Sequence, residues 1–173
     1  LIARRTDADP TIELRRFEAA ITAVDEYLIA LKANIESAAG REEAEIFDVD
    51  RMFLSDPAFV GTIRQLINTE HLNAEAAVDQ VASALAAQFE TLEDEYLRQR
   101  SVDVADIGGQ LLRRLTGWGQ ATLANLFAPS IIIARVLSPS DTAALDRQMV
   151  LAFCTAAGGP TSHTAILAPS LAI

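Results

Sequence analysis

The chain has 173 residues, half of them hydrophobic, which is enough to bury the core of one domain or of two small ones. A formal net charge of −10 argues against general nucleic-acid binding, which needs a basic surface to meet phosphates. Charged residues, or polar residues with Gly and Pro, interrupt every long apolar run, so neither a transmembrane segment nor a membrane partner is predicted. The single cysteine fits a reducing cytoplasm. Because the chain opens on Leu1 and stops within a strand-like run, we expect a fragment of a longer protein.

The acidic residues are concentrated before the last third of the chain. Of the 24 Asp and Glu residues, all but Asp141 and Asp146 precede Gly108. This asymmetry predicts two structural units, the first acidic and suited to steering a basic partner, the second nearly neutral and apolar.

The acidic part predicts helices. Apolar residues at spacings of three and four predict a first long helix that starts at Asp9-Pro10-Thr11 and ends at Ala38-Ala39-Gly40. A second helix is predicted from about Arg41 to Ser55, where Asp56-Pro57 breaks it. A short helix from Ala58 to about Asn68 follows.

Two further helices complete this part. Asn73 is a favourable N-cap for a third long helix, whose apolar stripe is predicted to continue to Tyr96. Ser101 is predicted to start a fourth helix, which Gly108-Gly109 should weaken by about 1 kcal/mol per glycine. Gly117-Trp118-Gly119 should close the helical part.

The pattern then changes to alternating strands and helices. The β-branched run at residues 131–137 predicts a strand, and residues 149–154 predict a second one. Between them, Ser138-Pro139-Ser140-Asp141 has the cap, proline and acid of a helix start, for a short helix to about Arg147. A glycine loop, a helix from about Ser162 and a final strand complete an α/β layer.

Histidine is scarce, and one of the two histidines lies in a chemically suggestive place. His163 follows the Gly158-Gly159 loop and lies beside Thr161 and Ser162 at the predicted helix start. The positive end of a helix favours anions and disfavours imidazolium, so it biases His163 toward its neutral, nucleophilic form. A histidine that accepts a phosphoryl group needs both properties.

Other interpretations of this stretch remain open. One alternative is a helix cap that happens to be followed by a histidine, which is common for an isolated pattern of this kind. A Ser–His hydrolase dyad is disfavoured because Ser162 adjoins His163 in sequence and no nucleophile elbow is present. A metal site is weaker still, since one cysteine and two distant histidines make no ligand cluster. His71, in a polar connection, is best explained as a surface residue.

Residues 158–166 nevertheless resemble the phosphohistidine signature of phosphoenolpyruvate-utilising enzymes. The chain is most similar to Enzyme I of the bacterial phosphoenolpyruvate:sugar phosphotransferase system. Residues 46–57, 96–100, 103–108, 111–114 and 137–142 resemble further segments of that family, in the same order.

The resemblance implies an α+β fold with several subdomains. An all-α, four-helix subdomain at residues 9–119 would be inserted into a small α/β phosphohistidine (swivelling) domain. That domain would comprise residues 1–8 and 120–173 and be truncated at both ends. The helical subdomain would dock the carrier protein HPr.

The implied activity is that of a phosphoryl carrier, a phosphoenolpyruvate-protein phosphotransferase. His163 would accept the phosphoryl group through Nε2 and pass it to a histidine of HPr. Phosphoenolpyruvate and Mg²⁺ would bind a separate C-terminal barrel domain, which also forms the homodimer of the full-length protein. No cofactor is therefore expected in this chain, which alone should exchange phosphate with phospho-HPr but not react with phosphoenolpyruvate.

The resemblance also implies roles for individual residues. Thr142 would hydrogen-bond His163, while Thr161 and Ser162 would offer hydroxyl groups to the phosphoryl group. The residues implied in HPr docking are Glu42, Glu45, Asp48, Met52, Phe53 and Arg100. The alternatives are ordinary core packing for Met52 and Phe53, and a solvated face for the acids.

Three positions depart from the family pattern. Pro160 and Pro169 stand where Enzyme I usually has arginine, and Arg135 stands where an acid is usual. One alternative is the mobile domain of a related enzyme, either a nitrogen-branch Enzyme I or a pyruvate phosphate dikinase, although the acidic helices disfavour the dikinase. The other is a degenerate, non-catalytic helical interaction module, for which the two prolines are the only support.

Overall fold

The computed structural model describes residues 2–117, 126–146 and 148–156, together with Ala165. The chain divides into two compact units, one of residues 1–27 and 49–118 and the other of residues 28–48 and 119–173. The domain boundaries given above remain a prediction. No helix in the described part of the chain is long and apolar enough to cross a bilayer.

The described elements are mostly helical, with a small sheet near the C-terminal end. The helices are α1 Pro10–Ala38, α2 Arg41–Ala44, α3 Ile46–Phe53, a π-helical turn Pro57–Gly61, α4 Thr62–Glu70, α5 Ala74–Glu90, α6 Glu95–Thr116 and α7 Pro139–Ala143. The strands are β1 Ser130–Ala134 and β2 Val150–Thr155. The predicted α+β fold class is confirmed.

Helix α1 matches its prediction closely. Asp9 caps its first turn, since Oδ1 accepts a hydrogen bond of 2.9 Å from the Thr11 N–H. The predicted stripe is the buried face, with fully or almost fully buried side chains at Phe17, Val24, Leu28, Leu31 and Ile35. The helix ends before Gly40, whose φ of 116° is open to glycine and strained for other residues.

The single second helix predicted for residues 41–55 is wrong, because the segment bends at Glu45. There the backbone makes tight i→i+3 bonds, from the Glu45 N–H to the Glu42 carbonyl and from the Asp48 N–H to the Glu45 carbonyl. The buried residues Ala44, Phe47, Asp50 and Leu54 nevertheless keep helical spacings of three and four, so one buried stripe continues through the bend.

The predicted boundary between the third and fourth helices is also wrong. Helix α5 ends at Glu90 and α6 begins at Glu95, so the apolar stripe drawn to Tyr96 crosses a turn and the start at Ser101 falls inside α6. Asp94 makes this earlier start possible, because its side chain accepts a hydrogen bond from the Leu97 N–H at 3.2 Å.

Glycine 108 allows α5 and α6 to approach closely. A Cβ atom added at Gly108 would lie 2.6 Å from Cβ of Ala82, far inside a normal contact. At Gly109 the nearest atom would be a flexible arginine nitrogen of Arg113 at 3.7 Å. The two glycines therefore differ in their effect on the stability of α6. Gly109 only lowers helix propensity, whereas Gly108 also allows the neighbouring helix to approach.

Asn73 occupies the N-cap position of α5, as predicted, but its side chain does not cap the helix. Its Oδ1 instead accepts from the Arg5 N–H at 2.8 Å, and its Nδ2 donates to the Ala3 carbonyl at 3.1 Å. The cap comes from α1, where the buried Glu13 carboxylate accepts from the Ala74 N–H at 2.8 Å. Glu13 thus ties α1 to α5.

The second unit contains a parallel β1–β2 pair, with Ile131 opposite Ala152 and Ile133 opposite Cys154. Helix α7 connects the two strands, which confirms the predicted strand–helix–strand order. Its capping box is also confirmed, since Ser138 Oγ accepts from the Asp141 N–H at 3.0 Å and Asp141 Oδ2 accepts from the Ser138 N–H at 3.3 Å. The helix stops short of the predicted Arg147.

A turn at Asp146 explains that early stop. Its carbonyl accepts from the N–H groups of Met149 and Val150, and its Oδ1 accepts from the Gln148 N–H at 2.8 Å. Because this turn leads directly into β2, the segment after Ala143 cannot continue as a helix.

Candidate functional site

The predicted phosphoryl site lies only partly within the described residues. His163, Thr161, Ser162, Pro160 and Pro169 fall outside them. What the structure describes is the framework before the glycine loop, formed by β1, α7 and β2. The roles of the first three residues therefore stay predictions.

Thr142 is the predicted partner of His163 within this framework, and it is fully buried. Its hydroxyl donates a hydrogen bond of 2.9 Å to the Ser138 carbonyl, and its backbone N–H donates to the same carbonyl at 3.0 Å. A hydroxyl whose hydrogen is directed in this way presents its oxygen as an acceptor. Thr142 is therefore held as an acceptor in a fixed orientation.

The carboxyl ends of β1 and β2 mark the edge of the sheet at which α/β proteins usually bind ligands. Parallel strands end at the same edge of a sheet, and ligand sites in open α/β sheets lie beyond that edge. The chain leaves the end of β1 toward α7, and it leaves the end of β2 at Thr155 toward the glycine loop. The segment that carries Thr142 thus leaves the sheet at the edge where β2 also ends, eight residues before His163 in sequence.

Two of the three predicted docking acids are exposed. Glu42 lies on α2 and Glu45 in the turn that follows, and both side chains face solvent. Asp48 is half-buried, and its Oδ2 accepts a hydrogen bond of 2.6 Å from Lys32 Nζ. Glu42 and Glu45 are therefore accessible to a cationic partner, whereas Asp48 is already matched within the chain.

The two apolar docking candidates on α3 differ. Met52 is 68% exposed, which excludes core packing as the reason for this methionine. Phe53 is half-buried and meets Phe59 edge to face, with ring centroids 6.5 Å apart and an angle of 75°. Phe53 thus has an aromatic packing partner while Met52 presents its side chain to solvent, and the parts of both residues in docking stay predictions.

Arg100 points into its own unit. Its side chain is only 17% exposed, and Nη1 donates to Asp103 Oδ2 at 3.0 Å. Asp103 is fully buried, and Asp106, one turn further along α6, is almost so. Arg100 balances part of this buried acidity, and its predicted part in docking stays a prediction.

The sequence analysis missed a buried acid on α3. Asp50 is fully inaccessible, and neither of its side-chain oxygens has a hydrogen-bond partner among the described residues. Burial above all, and then the charges of Asp103 and Asp106, raise the pKa of Asp50 to about 8, although Arg100 opposes them. The signal was helical spacing, since Asp50 lies three residues after the buried Phe47 and four before the buried Leu54.

This cluster does not form a metal centre. Within the described residues, no group of three or more His, Cys, Asp or Glu side chains is arranged to hold a metal ion. Asp50 thus lies buried near two further buried acids, Asp103 and Asp106, and Arg100 opposes their combined negative charge.

Comparison with known proteins gives the family. Residues 2–100 match the PEP-utilising enzyme N-terminal family, and residues 127–173 match the PEP-utilising enzyme mobile domain. The chain belongs to the PEP-utilising enzymes. The first match covers the helices up to the start of α6, and the second covers β1, α7, β2 and the sequence that holds the histidine motif.

Individual relatives place the chain beside Enzyme I. The phosphoenolpyruvate-protein phosphotransferase of Bacillus sp. (strain S) is 39% identical over 170 residues, which is 98% of this chain and 29% of that protein. The solution NMR structure of Enzyme I (nEIt) has a TM-score of 0.78 and 37% identity, and covers all of this chain and 71% of its own. The predicted likeness to Enzyme I is confirmed.

A second solved structure bears on the alternatives. The N-terminal domain of Enzyme 1 - Nitrogen has a TM-score of 0.71 and 26% identity, with 99% of this chain and 70% of that one covered. The chain thus shares its fold with both branches and is more similar in sequence to the first. It spans less than a third of the length of the curated relatives that it matches.

Proposed function

We propose that this chain is the phosphotransfer part of an Enzyme I, in which His163 accepts a phosphoryl group and passes it to a histidine of HPr. The observation that supports this most is the match to an Enzyme I structure along the whole chain, at 37% identity. The motif Thr161-Ser162-His163-Thr164 stands in the part that matches the mobile domain of PEP-utilising enzymes.

Thr142 would set the tautomer of His163. With its hydrogen directed to the Ser138 carbonyl, the Thr142 oxygen can accept a hydrogen bond from Nδ1–H of the imidazole. That arrangement leaves Nε2 unprotonated, so its lone pair can attack phosphorus while the bond between phosphorus and the donor atom breaks. Thr161 and Ser162 would donate hydroxyl hydrogen bonds to the phosphoryl oxygens.

HPr docking would use the exposed members of the predicted set. Glu42 and Glu45 offer negative charge to a basic rim, and Met52 offers an accessible apolar contact. Charge complementarity of this kind accelerates encounter and depends on ionic strength. Asp48, Phe53 and Arg100 would act through the local structure, because each already has a partner within the chain.

The remaining functions belong to the whole protein. Phosphoenolpyruvate and Mg²⁺ would be bound by a C-terminal barrel domain beyond this chain, and that domain would also form the homodimer. The full protein would work in the cytoplasm, at the start of a sugar phosphotransferase system. The isolated chain would exchange phosphate with phospho-HPr but would not react with phosphoenolpyruvate.

Incubation of the chain with phospho-HPr tests the proposal. We expect an acid-labile, base-stable mass gain of one phosphoryl group, and no gain for His163→Ala. His71→Asn is a matched control, because His71 has a φ of 52° and asparagine tolerates this left-handed conformation well. That variant should be labelled like the wild type.

Two results would contradict the proposal. No labelling of wild-type chain, under conditions that label a standard Enzyme I, would favour the degenerate interaction module. Labelling of His163→Ala would show that another residue carries the phosphoryl group.

The docking face has its own test. Reversing the charges of Glu42 and Glu45 to lysine should weaken HPr binding, and the loss should be larger at low salt than at high salt. Reversal of Glu90, an equally exposed acid at the end of α5, serves as the control. Equal affinity of the wild type and the Glu42/Glu45 variant would remove these acids from the docking site.

A further inference from the structure

Asp50 cannot be ionised in its place without a large penalty. The residue is fully buried, and neither carboxyl oxygen has a hydrogen-bond partner among the residues that the structure describes. Nothing there replaces the water that a carboxylate loses on burial. The neutral, protonated acid loses much less, so the folded chain favours Asp50 with its proton.

The charges that act on Asp50 come from α6. Asp103 and Asp106 are both buried carboxylates, and each disfavours a second negative charge nearby. Arg100 acts in the opposite sense, but its Nη1 is hydrogen-bonded to Asp103 at 3.0 Å. Burial makes the largest contribution to the pKa of Asp50, and the charges of Asp103 and Asp106 make the next largest. Together they outweigh the opposite effect of Arg100, so the pKa of Asp50 rises from 3.8 to about 8.

Helix α3 is attached through its buried face and through ion pairs on its exposed side. It has only eight residues, and a helix of that length is not stable alone in water. Two ion pairs join its exposed side to α1, Arg51 with Asp25 and Asp48 with Lys32, and all four side chains are partly exposed. Exposed pairs of this kind contribute little. The attachment of the second half of α3 therefore depends on the face that carries Asp50.

We propose that Asp50 is a proton-operated latch: while it carries its proton the second half of α3 stays packed beside α6, and loss of the proton favours release of that segment. Release exposes Asp50 to water, where a carboxyl group is ionised at neutral pH. Opening of the segment is thus coupled to the loss of one proton.

The direction of the pH effect follows from this coupling. The closed state holds the proton up to about pH 8, whereas the open state has lost it above about pH 4. Between these limits the opening constant should rise by about tenfold per pH unit, because one proton leaves with each opening event. Above about pH 8 both states are ionised, and the opening constant should level off.

The latch does not require the proposed function, but its consequence does. The segment that would open carries Met52, the exposed apolar residue of the proposed docking face. If that face docks HPr, rising pH would disorder part of it before the rest of the unit unfolds. Binding of a partner to α3 should conversely favour retention of the proton.

Amide hydrogen exchange of the chain without any partner tests the latch. The rates are measured from pH 6 to 9 and corrected for the intrinsic pH dependence of exchange. In the wild type, α3 protection should fall about tenfold per pH unit up to about pH 8 and then stay constant. In Asp50→Asn, a neutral isostere, it should not vary with pH. Asp79→Asn, on the exposed side of α5, should behave as the wild type.

Several results would overturn the inference. The same pH dependence in the wild type and in Asp50→Asn would show that Asp50 is not the titrating group. The same dependence in α3 and α5 would show that α3 does not open separately. If the variant does not fold, the carboxyl ¹³C resonance of Asp50 in the wild type decides, since an ionised carboxylate at pH 6 excludes the latch. None of these results depends on phosphotransfer by His163.

Discussion

The contact of Gly108 with Ala82 leads to a quantitative prediction. In the interior of α6, replacing a glycine by alanine should stabilise the helix by about 1 kcal/mol. At Gly109 the new methyl group meets only a flexible arginine nitrogen at 3.7 Å, so the full gain is expected. At Gly108 it would meet Cβ of Ala82 at 2.6 Å, and overpacking of this kind costs about 1–3 kcal/mol.

Gly108→Ala should therefore be less stable than Gly109→Ala by about 1–3 kcal/mol. For a chain of this size, each kcal/mol corresponds to about 2–4 °C in Tm. Thermal unfolding followed by circular dichroism measures both variants under identical conditions. The pair is matched, because the two sites are neighbours in one helix and receive the same substitution.

Combining Gly108→Ala with Ala82→Gly identifies the contact. Removing the Ala82 methyl group should relieve the overlap, so the double variant should be more stable than the sum of the single effects predicts. If Gly108→Ala and Gly109→Ala raise Tm equally, or if the two changes are additive, close approach of α5 and α6 is not the reason for Gly108.

Three further predictions concern hydrogen-bonded groups. Glu13→Ala removes the cap on the Ala74 N–H. The free energy of unfolding measured in urea should fall by about 2 kcal/mol. A loss below about 0.5 kcal/mol would contradict the capping role. Burial alone would raise the pKa of Glu75, but hydrogen bonds, chiefly from Arg16, outweigh it and lower that pKa. Its stabilisation is therefore fully present above its usual pKa of about 4.5 and declines on acidification. Glu75→Gln should be less stable than wild type at pH 7, and urea titrations should show a smaller difference at pH 3; the same difference at both pH values would contradict this role. Thr142→Val keeps the shape but removes the acceptor, and should slow labelling by phospho-HPr without changing Tm by more than a few degrees; an unchanged rate would exclude Thr142 from the site.

The parts of the fold that sequence predicted well are those fixed by local rules. The start of α1 follows from Asp9 before Pro10, and that of α7 from Ser138, Pro139 and Asp141, because these residues satisfy the free N–H groups of the first turn within their own segment. The first strand followed from a β-branched run and the second from a short apolar run. None of these signals required knowledge of distant residues.

The incorrect boundaries had no signal in the local sequence pattern. One continuous helix over residues 41–55 agrees with the helical spacing of its buried residues, yet i→i+3 hydrogen bonds divide it at Glu45. The cap of α5 comes from Glu13, which lies 61 residues before the N–H that it accepts. Helical periodicity gave Asn73 the right position but could not supply the partner that its side chain found in residues 3–5.

The residues of the candidate site also differ in how far the sequence alone indicates their positions. The histidine motif was singled out as a local pattern, whereas Thr142, Glu42 and Glu45 were named from the resemblance to Enzyme I. The inward orientation of Arg100 and Asp50 was not predicted, because a charged residue is expected on the surface. The helical spacing of Asp50 from the buried Phe47 and Leu54 indicates its burial better than its residue type does.

The formal charge of −10 overstates the negative charge that a partner meets, because some of the acids are buried. Formal charge treats every acid as ionised and accessible, yet Asp50 favours its proton at neutral pH and Asp103 lies fully buried beside Arg100. These groups contribute little to steering a basic partner, because the electric field outside the protein comes mainly from accessible charges such as Glu42 and Glu45.

The salt dependence of HPr binding should therefore follow the exposed acids of α2 and its following turn rather than the net charge. Asp50→Asn should leave the salt dependence of the association rate at pH 7 unchanged, while reversal of Glu42 and Glu45 should reduce it. A reduced salt dependence in Asp50→Asn would show that Asp50 is ionised in the folded chain, contrary to its burial without partners.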